Sequence, residues 1–249
     1  MSMFGMEKKP PVAKRGPGRP RLTGNDTTGL VNRNTVIDLA YEQARTQPLD
    51  AISFVQIAQT LGVAPGSLHY HIGTKDDLTS AILKRFYKGL LTELRKMPPG
   101  LDWMDRLRFF ARVLMASKRA HRGASEHIQT RARFRLFQKV SPGETDWGAA
   151  YLDWAFTLFR EAGFDAENTA LCYHVLAMHC LAAATSTTAR LGPADHDAFL
   201  IDRAETLDEG TTPGLDFALR AFARVKSDDA FEFGLEALLA RFAAVRSEA

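Results

Sequence analysis

Ser67, His69, Tyr70 and His71 fall within five residues of one another, just after Pro65-Gly66, in the run ISFVQIAQTLGVAPGSLHYHIGTK at residues 52–75. On one short helix, such short and polar-aromatic groups suit the base edges and phosphates of a DNA major groove. Two other chemistries compete. His69 and His71 stand at i, i+2, a spacing that sends two helical side chains to different faces and so argues against a shared metal. Tyr70 could instead pack on the helix that follows, as tyrosines commonly do. Catalytic arrangements are not found: the chain has no GxSxG, GxGxxG, Walker loop, HExxH or CxxC. His196, between Asp195 and Asp197, lacks an evident orienting partner. The expectation is a regulator and not an enzyme.

The elements that must position these residues follow from caps and turns. Ser53 is the expected N-cap of a helix from Phe54 to Leu61, with Gln56 in its first turn. Gly62 ends that helix in a left-handed turn, and Ala58 is small where a second helix must come close. Pro65 suits the first turn of the next helix, which runs to about His71. Ile57, Leu61, Val63 and Leu68 are expected to fill the seam. Thr74 caps a long helix with Asp76 and Asp77 in its first turn. Its stripe of Leu78, Ile82, Phe86, Leu90, Leu91 and Leu94 continues to about residue 97, ahead of Pro98-Pro99.

Composition sets the frame. The 249 residues can bury a proper core. Formal charge is +3, unevenly placed: up to Arg33, Lys8, Lys9, Lys14, Arg15, Arg19, Arg21 and Arg33 face only Glu7 and Asp26, a net of +5. This tail has almost nothing apolar, so it reads as disordered in isolation and in want of a polyanion. Gly18-Arg19-Pro20-Arg21 looks like the core of an AT-hook, in which Arg enters a narrow minor groove; the same residues also suit a non-specific phosphate-binding tail. Cys172 and Cys180 lie roughly 12 Å apart on one expected helix, too far for a disulfide. A reducing, cytoplasmic setting is expected, with no signal peptide and no apolar run of membrane-spanning length.

The remaining helices are expected from Asn34 to before Pro48, Asp102 to His121, His127 to Val140, Thr145 to Ala162, Asp165 to Arg190, Gly214 to Val225, and Asp228 to Arg246. Arg122-Gly123 reads as a stop, and 192–214 as a long acidic loop. The fold class is all-α, with about ten helices and no sustained strand alternation.

The segment Gly62-Val63, Gly66-Ser67-Leu68-His69-Tyr70-His71, Lys75-Asp76-Asp77 resembles, without a gap, the DNA-binding region of the tetracycline-repressor (TetR) family. The resemblance implies base or phosphate contacts for Ser67, His69 and His71, a backbone contact for Tyr70, and a phosphate clamp at Lys75. His69 replaces the family's usual Tyr, and Val55 stands where many members place an Arg. Residues 162–187 and 231–239 resemble the two helices that form a four-helix dimer bundle in that family; as ordinary core helices they would instead belong to a monomer. The implied domains are a basic arm at 1–30, a helix-turn-helix domain at 31–78 within a helix continuing to 97, and a ligand-binding and dimerisation domain at 79–249.

A ligand pocket is expected among Phe86, Leu90, Phe109, Val113, Phe134, Trp154, Leu158, Tyr173, His174 and Ala177. His121 and His179 fall near pocket histidines of the tetracycline receptors. Leu91 and Thr187, however, replace a drug-holding histidine and an acidic pocket group. No metal or other cofactor is therefore expected, and His121 is read as a helix C-terminal residue. The implied function is a homodimeric repressor on a palindromic DNA operator, released by a small-molecule inducer of unknown identity. A transcriptional activator of the same fold and a non-specific architectural DNA binder are the alternatives.

Overall fold

Asn32 opens the first helix by accepting the Thr35 N–H, and local caps of this kind set most of the boundaries that follow. A computed structural model describes residues 32–207 and 210–247. Arg19 and Arg21 of the basic arm lie outside the described residues. Among those described are eleven α-helices and one 3-10 turn, with no strand. They are α1 Arg33–Gln43, α2 Phe54–Leu61, α3 Pro65–Ile72, α4 Lys75–Leu94, α5 Trp103–Ala120, α6 Arg122–Thr130, α7 Trp147–Glu161, α8 Ala166–Ala189, α9 Asp197–Glu205, α10 Pro213–Phe222 and α11 Ser227–Ser247; the 3-10 turn is Pro193–His196.

α1, α2 and α3 form the N-terminal head. α4 leaves the head and packs on α5 and α7, while α8 lies against α5, α7 and α11. One apolar core runs from Val36 on α1 to Phe242 on α11. Arg108, Arg112 and Arg119 on α5 reach Glu236, Glu232 and Asp228 on α11. Such exposed pairs are each worth no more than about 1 kcal/mol, so they align the two helices more than they hold them. α8 belongs to the one stretch among the described residues long and apolar enough by composition to cross a membrane. Here it packs on four helices, α5, α6, α7 and α11, and buries Cys172, Leu176, Cys180 and Leu181. Both cysteines are free.

Four expectations are corrected. α4 ends at Leu94 with Arg95 as its C-cap, short of residue 97. The acidic stretch 192–214 is not a plain loop, since it contains the 3-10 turn and α9. Neither α9 nor α10 contributes a buried side chain, so no core-facing stripe marked the helix.

The largest correction lies at 121–146. His121 leaves the helical region at φ −130°, ψ 69°, and a helix resumes at once. Gly123 is not a stop. A Cβ there would fall 2.0 Å from the Gln47 carbonyl oxygen and 2.9 Å from that of Ala44. Its N–H donates to Ala44 O at 2.8 Å, and Arg122 N–H to Arg45 O at 3.2 Å. The amides that a helix start leaves free are thus satisfied by the end of α1.

The expected helix from His127 to Val140 is absent beyond Thr130; residues 131–146 are irregular. Phe134 is left-handed at φ 58°. Side chains replace the helical hydrogen bonds. The Gln138 amide donates to Leu136 O at 2.9 Å and accepts Gly148 N–H at 3.1 Å. Ser80 on α4 accepts Lys139 N–H at 2.8 Å, and the Tyr87 hydroxyl donates to Arg135 O. With its backbone so paired, the segment has no need of the helix that its amphipathic pattern suggests.

Candidate nucleic-acid interface and ligand cavity

The helix pair in the head is built by three adjacent devices. Ser53 caps α2 by accepting Gln56 N–H at 3.1 Å. Gly62 closes it at φ 68°, ψ 29°, with no steric penalty for a residue lacking Cβ. Ala64 is extended and Pro65 starts α3 with φ already suited to a helix. Ile57, Ala58, Leu68 and Ile72 are buried in the seam, and Leu61 and Val63 are half-buried against it.

The outer side of α3 presents what the sequence suggested. Pro65, Gly66, His69 and Tyr70 are exposed, with Ser67 and His71 half-buried at its edges; Gln56 is exposed on α2. Tyr70 is 89% exposed, which excludes its packing on α4. Its ring meets that of His71, edge to face at 5.4 Å. His69 packs edge-on against Phe54 at 4.6 Å, and its Nδ1 lies 3.0 Å from Gly73 O. A carbonyl only accepts, so Nδ1 carries the proton and Nε2 of the neutral ring is an acceptor. Val55 is 52% exposed where a cation would add phosphate affinity.

Lys75 is engaged within the head. Its ammonium donates to Leu49 O at 2.7 Å and to Ile52 O, so two of its three protons hold the turn ahead of α2 instead of facing solvent. Burial lowers its pKa. It fixes the approach of α2, and one proton is left over from these two bonds.

Head and body are joined at two further places beyond α4. His121 stacks on Tyr41 of α1 at 4.8 Å, beside the Gly123–Ala44 bond. Its Nδ1 lies 3.1 Å from Ser117 O, and burial lowers its pKa; here burial outweighs the helix end that would favour the cation. The irregular segment supplies the second link through Arg131, which pairs with Asp50 ahead of α2 at 2.8 Å; Arg133 and Lys139 hold Asp76 and Asp77 in the first turn of α4, both at 2.7 Å.

A cavity of about 220 Å³ lies among α4, α5, α6, α7, α8 and this segment. Of the expected lining residues, Leu90, Tyr173, His174 and Ala177 line it. Phe86 and Leu158 are instead buried in the core. Phe109, Val113 and Trp154 also lie off its wall; Trp154 stacks on Phe110 at 6.2 Å. Phe134 is turned under Arg133 and Lys139. Sequence reasoning missed Tyr87, Tyr151, Lys118 and Arg135 on that wall. Tyr173 donates to the Tyr151 hydroxyl at 3.3 Å, and burial raises the pKa of all three tyrosines, so their phenols stay protonated. His179 is no pocket group: it stacks on Phe231 at 5.2 Å beneath Gly234. No cluster of three or more metal-ligating side chains occurs among the described residues.

Lys118 is 6% exposed, and burial lowers its pKa to about 8. An unfolded chain would therefore bind more protons than the folded one between about pH 8 and pH 10.4, and stability should rise with pH across that window. The charged form costs on the order of 3 kcal/mol below it. Lys118→Met is expected to raise stability at pH 7 by an amount of that order and to remove the rise. Urea unfolding of both proteins at pH 7 and pH 10 measures this; equal pH slopes would show that the ammonium is not desolvated.

No family model matches the chain. Over 220 residues it is 26% identical to an HTH-type transcriptional repressor of Mycobacterium tuberculosis, covering 85% of this chain and 80% of that one. It is 28% identical to the class D tetracycline repressor protein of Escherichia coli, covering 85% and 89%. Its fold is similar to that of apo ActR from Streptomyces coelicolor, with a TM-score of 0.70 at 23% identity over 88% of this chain and 97% of that one. A possible TetR family transcriptional regulator from Streptomyces coelicolor A3(2) gives 0.64 at 26% identity, covering 86% and 100%. ActR solved in complex with actinorhodin gives 0.66 at 23% identity, covering 86% and 97%.

Proposed function

We propose that this chain is a TetR-family helix-turn-helix regulator, a cytoplasmic homodimeric repressor that reads a palindromic operator through α3 and is released by a small molecule in the α4–α8 cavity. The observation that carries this reading is the outer side of α3: an 89% exposed tyrosine beside Pro65, Gly66 and His69, behind a left-handed Gly62 turn. Exposed aromatic and small polar groups on the second helix of such a pair suit a major groove. The relatives are named as transcriptional regulators and not as enzymes. ActR, solved with a bound small molecule, supports the ligand-responsive reading.

Ser67, His69, Tyr70 and His71 are the proposed base and phosphate contacts, with Ser53, Gln56, Pro65 and Gly66 along the same groove and Arg19 and Arg21 on adjoining DNA. Lys75 orders the turn before α2 and lends its remaining proton to a phosphate. Leu171, Met178 and Phe233, exposed on the mutually packed α8 and α11, are the proposed dimer face. Two recognition helices roughly 34 Å apart then enter successive grooves.

A ligand acts by preferring one head separation over another, since only differential affinity shifts a population. Arg135 and Leu136 line the cavity, while in the same segment Arg131 grips the head at Asp50 and Arg133 and Lys139 hold the first turn of α4, where it leaves the head. Occupancy of the cavity therefore bears on residues that hold the head in place.

Selection from random duplexes should return an inverted repeat with half-sites about 10 bp apart or a multiple of it; no enriched sequence would refute operator recognition. Phe233→Glu should convert the dimer to a monomer in sedimentation and lower affinity for the selected duplex at least about 100-fold, because linked binding by two heads is lost. An unchanged dimer would place the interface elsewhere.

A further inference from the structure

Lys118 is an ionisable side chain buried without compensation. It continues the apolar face of α5 formed by Leu107, Phe110, Ala111 and Leu114. Among the described residues it meets neither a carboxylate nor a hydrogen-bond acceptor; its ammonium lies over the Phe86 ring, 5.9 Å from the centroid. Nearby Cys180 is no counter-charge, because burial raises its pKa to about 12 and its thiol donates to Ala111 O. The cavity that Lys118 lines contains no Asp or Glu. Arg135, likewise without a carboxylate partner among the described residues, lines the same space. A buried cation left unpaired is costly, and a cavity that holds Lys118 without an acid leaves that charge for an incoming group to balance; Arg135, which also lines it, is exposed and adds positive potential.

The rest of the wall is aromatic. Tyr87 and Tyr151 meet at 5.3 Å and Tyr151 and Tyr173 at 6.5 Å between ring centroids. Tyr173 donates to Tyr151, whose own hydroxyl proton has no acceptor among the described residues. A volume of about 220 Å³ equals the liquid share of about seven water molecules, which suits a compact ring system.

We propose that the ligand is a small, flat aromatic anion, an aryl carboxylate or an acidic phenol, whose negative group pairs with Lys118 while its ring lies among Tyr87, Tyr151 and Tyr173. This rests on the reading of the chain as a ligand-responsive regulator and names the chemical class of its ligand. Aromatic rings attract one another in offset or edge-on contact, and an ammonium–carboxylate bond formed away from water is far stronger than at the surface.

The test is calorimetric titration of the full chain with 2-naphthoate and with 2-naphthamide, which differ in charge but little in shape. Naphthoate is expected to bind at least tenfold more tightly. Lys118→Met should remove that preference while leaving amide affinity within a factor of about three. Equal affinities, tighter binding of the amide, binding of neither, or a preference that survives in Lys118→Met would each overturn the assignment. The wild-type pair decides the matter even where the variant fails to fold. Adding naphthoate to the DNA complex separates this claim from the one beneath it. Lys118-dependent binding that leaves DNA bound sinks ligand-released repression and keeps the anion site. DNA binding with no charge preference sinks the anion site alone.

Discussion

Ser67→Ala combined with Tyr70→Ala lowers affinity for the selected operator by at least about 100-fold, with little change in thermal stability. Each base or backbone contact of this kind is worth about 1–3 kcal/mol, and each tenfold change about 1.4 kcal/mol. A dimer makes the contacts twice. The absence of a folding penalty follows from position. Tyr70 is 89% exposed with its ring edge-on to His71, and surface substitutions away from caps and cores stay within about 0.5 kcal/mol. His69 is a poorer probe, because its ring also braces Phe54 and Gly73. Anisotropy titration with a labelled operator, beside a melting curve, checks both halves. Unchanged affinity in the double variant would remove this side of α3 from the interface.

Gly123→Val is expected to disconnect the ligand from the DNA. A side chain there meets backbone, at 2.0 Å from Gln47 O and 2.9 Å from Ala44 O, and backbone cannot swing aside. α6 must then lift from α1, with loss of the bonds from Gly123 to Ala44 and from Arg122 to Arg45. The buried Gly123 bond is worth about 1–3 kcal/mol, and the overpacking costs a similar amount. For a chain of this size the melting temperature should fall by roughly 5–15 °C. The head keeps its own seam and α4, so operator affinity should stay within about tenfold of wild type, whereas ligand-induced release should be lost or strongly weakened. Melting and ligand-titrated anisotropy measure the two effects. Wild-type stability with intact release would show that signal and structure pass through α4 alone.

These two sites differ in how readable they were. The helix pair was legible because its determinants are local: Ser53, Gly62, Pro65 and Thr74 each act within three or four residues of themselves, and caps and left-handed turns leave their mark in sequence. The α1–α6 junction was not, because Gly123 answers to Ala44 and Gln47, far away in the chain, and a glycine required by close approach looks the same as one that ends a helix. The segment 131–146 misled for a related reason. Its basic amphipathic pattern is genuine, yet Ser80, Tyr87 and Gln138 supply the hydrogen bonds that a helix would have made. In the cavity, helical faces found Leu90, Tyr173, His174 and Ala177, but chose Phe86 over its neighbour Tyr87; one residue turns a helix by about 100°. Lys118 had a visible signal, a lysine four residues beyond Leu114 on an apolar stripe, that an aromatic-led search passed over.

The most direct measurement of the central claim, that α3 reads bases, is an equilibrium titration of the full chain against the selected duplex and its scrambled counterpart, repeated across salt concentrations. At physiological ionic strength the selected duplex should bind at least about 1,000-fold more tightly, with the gap preserved as salt weakens both. Equal affinities for the two duplexes, falling together with salt, would contradict it and leave only phosphate binding.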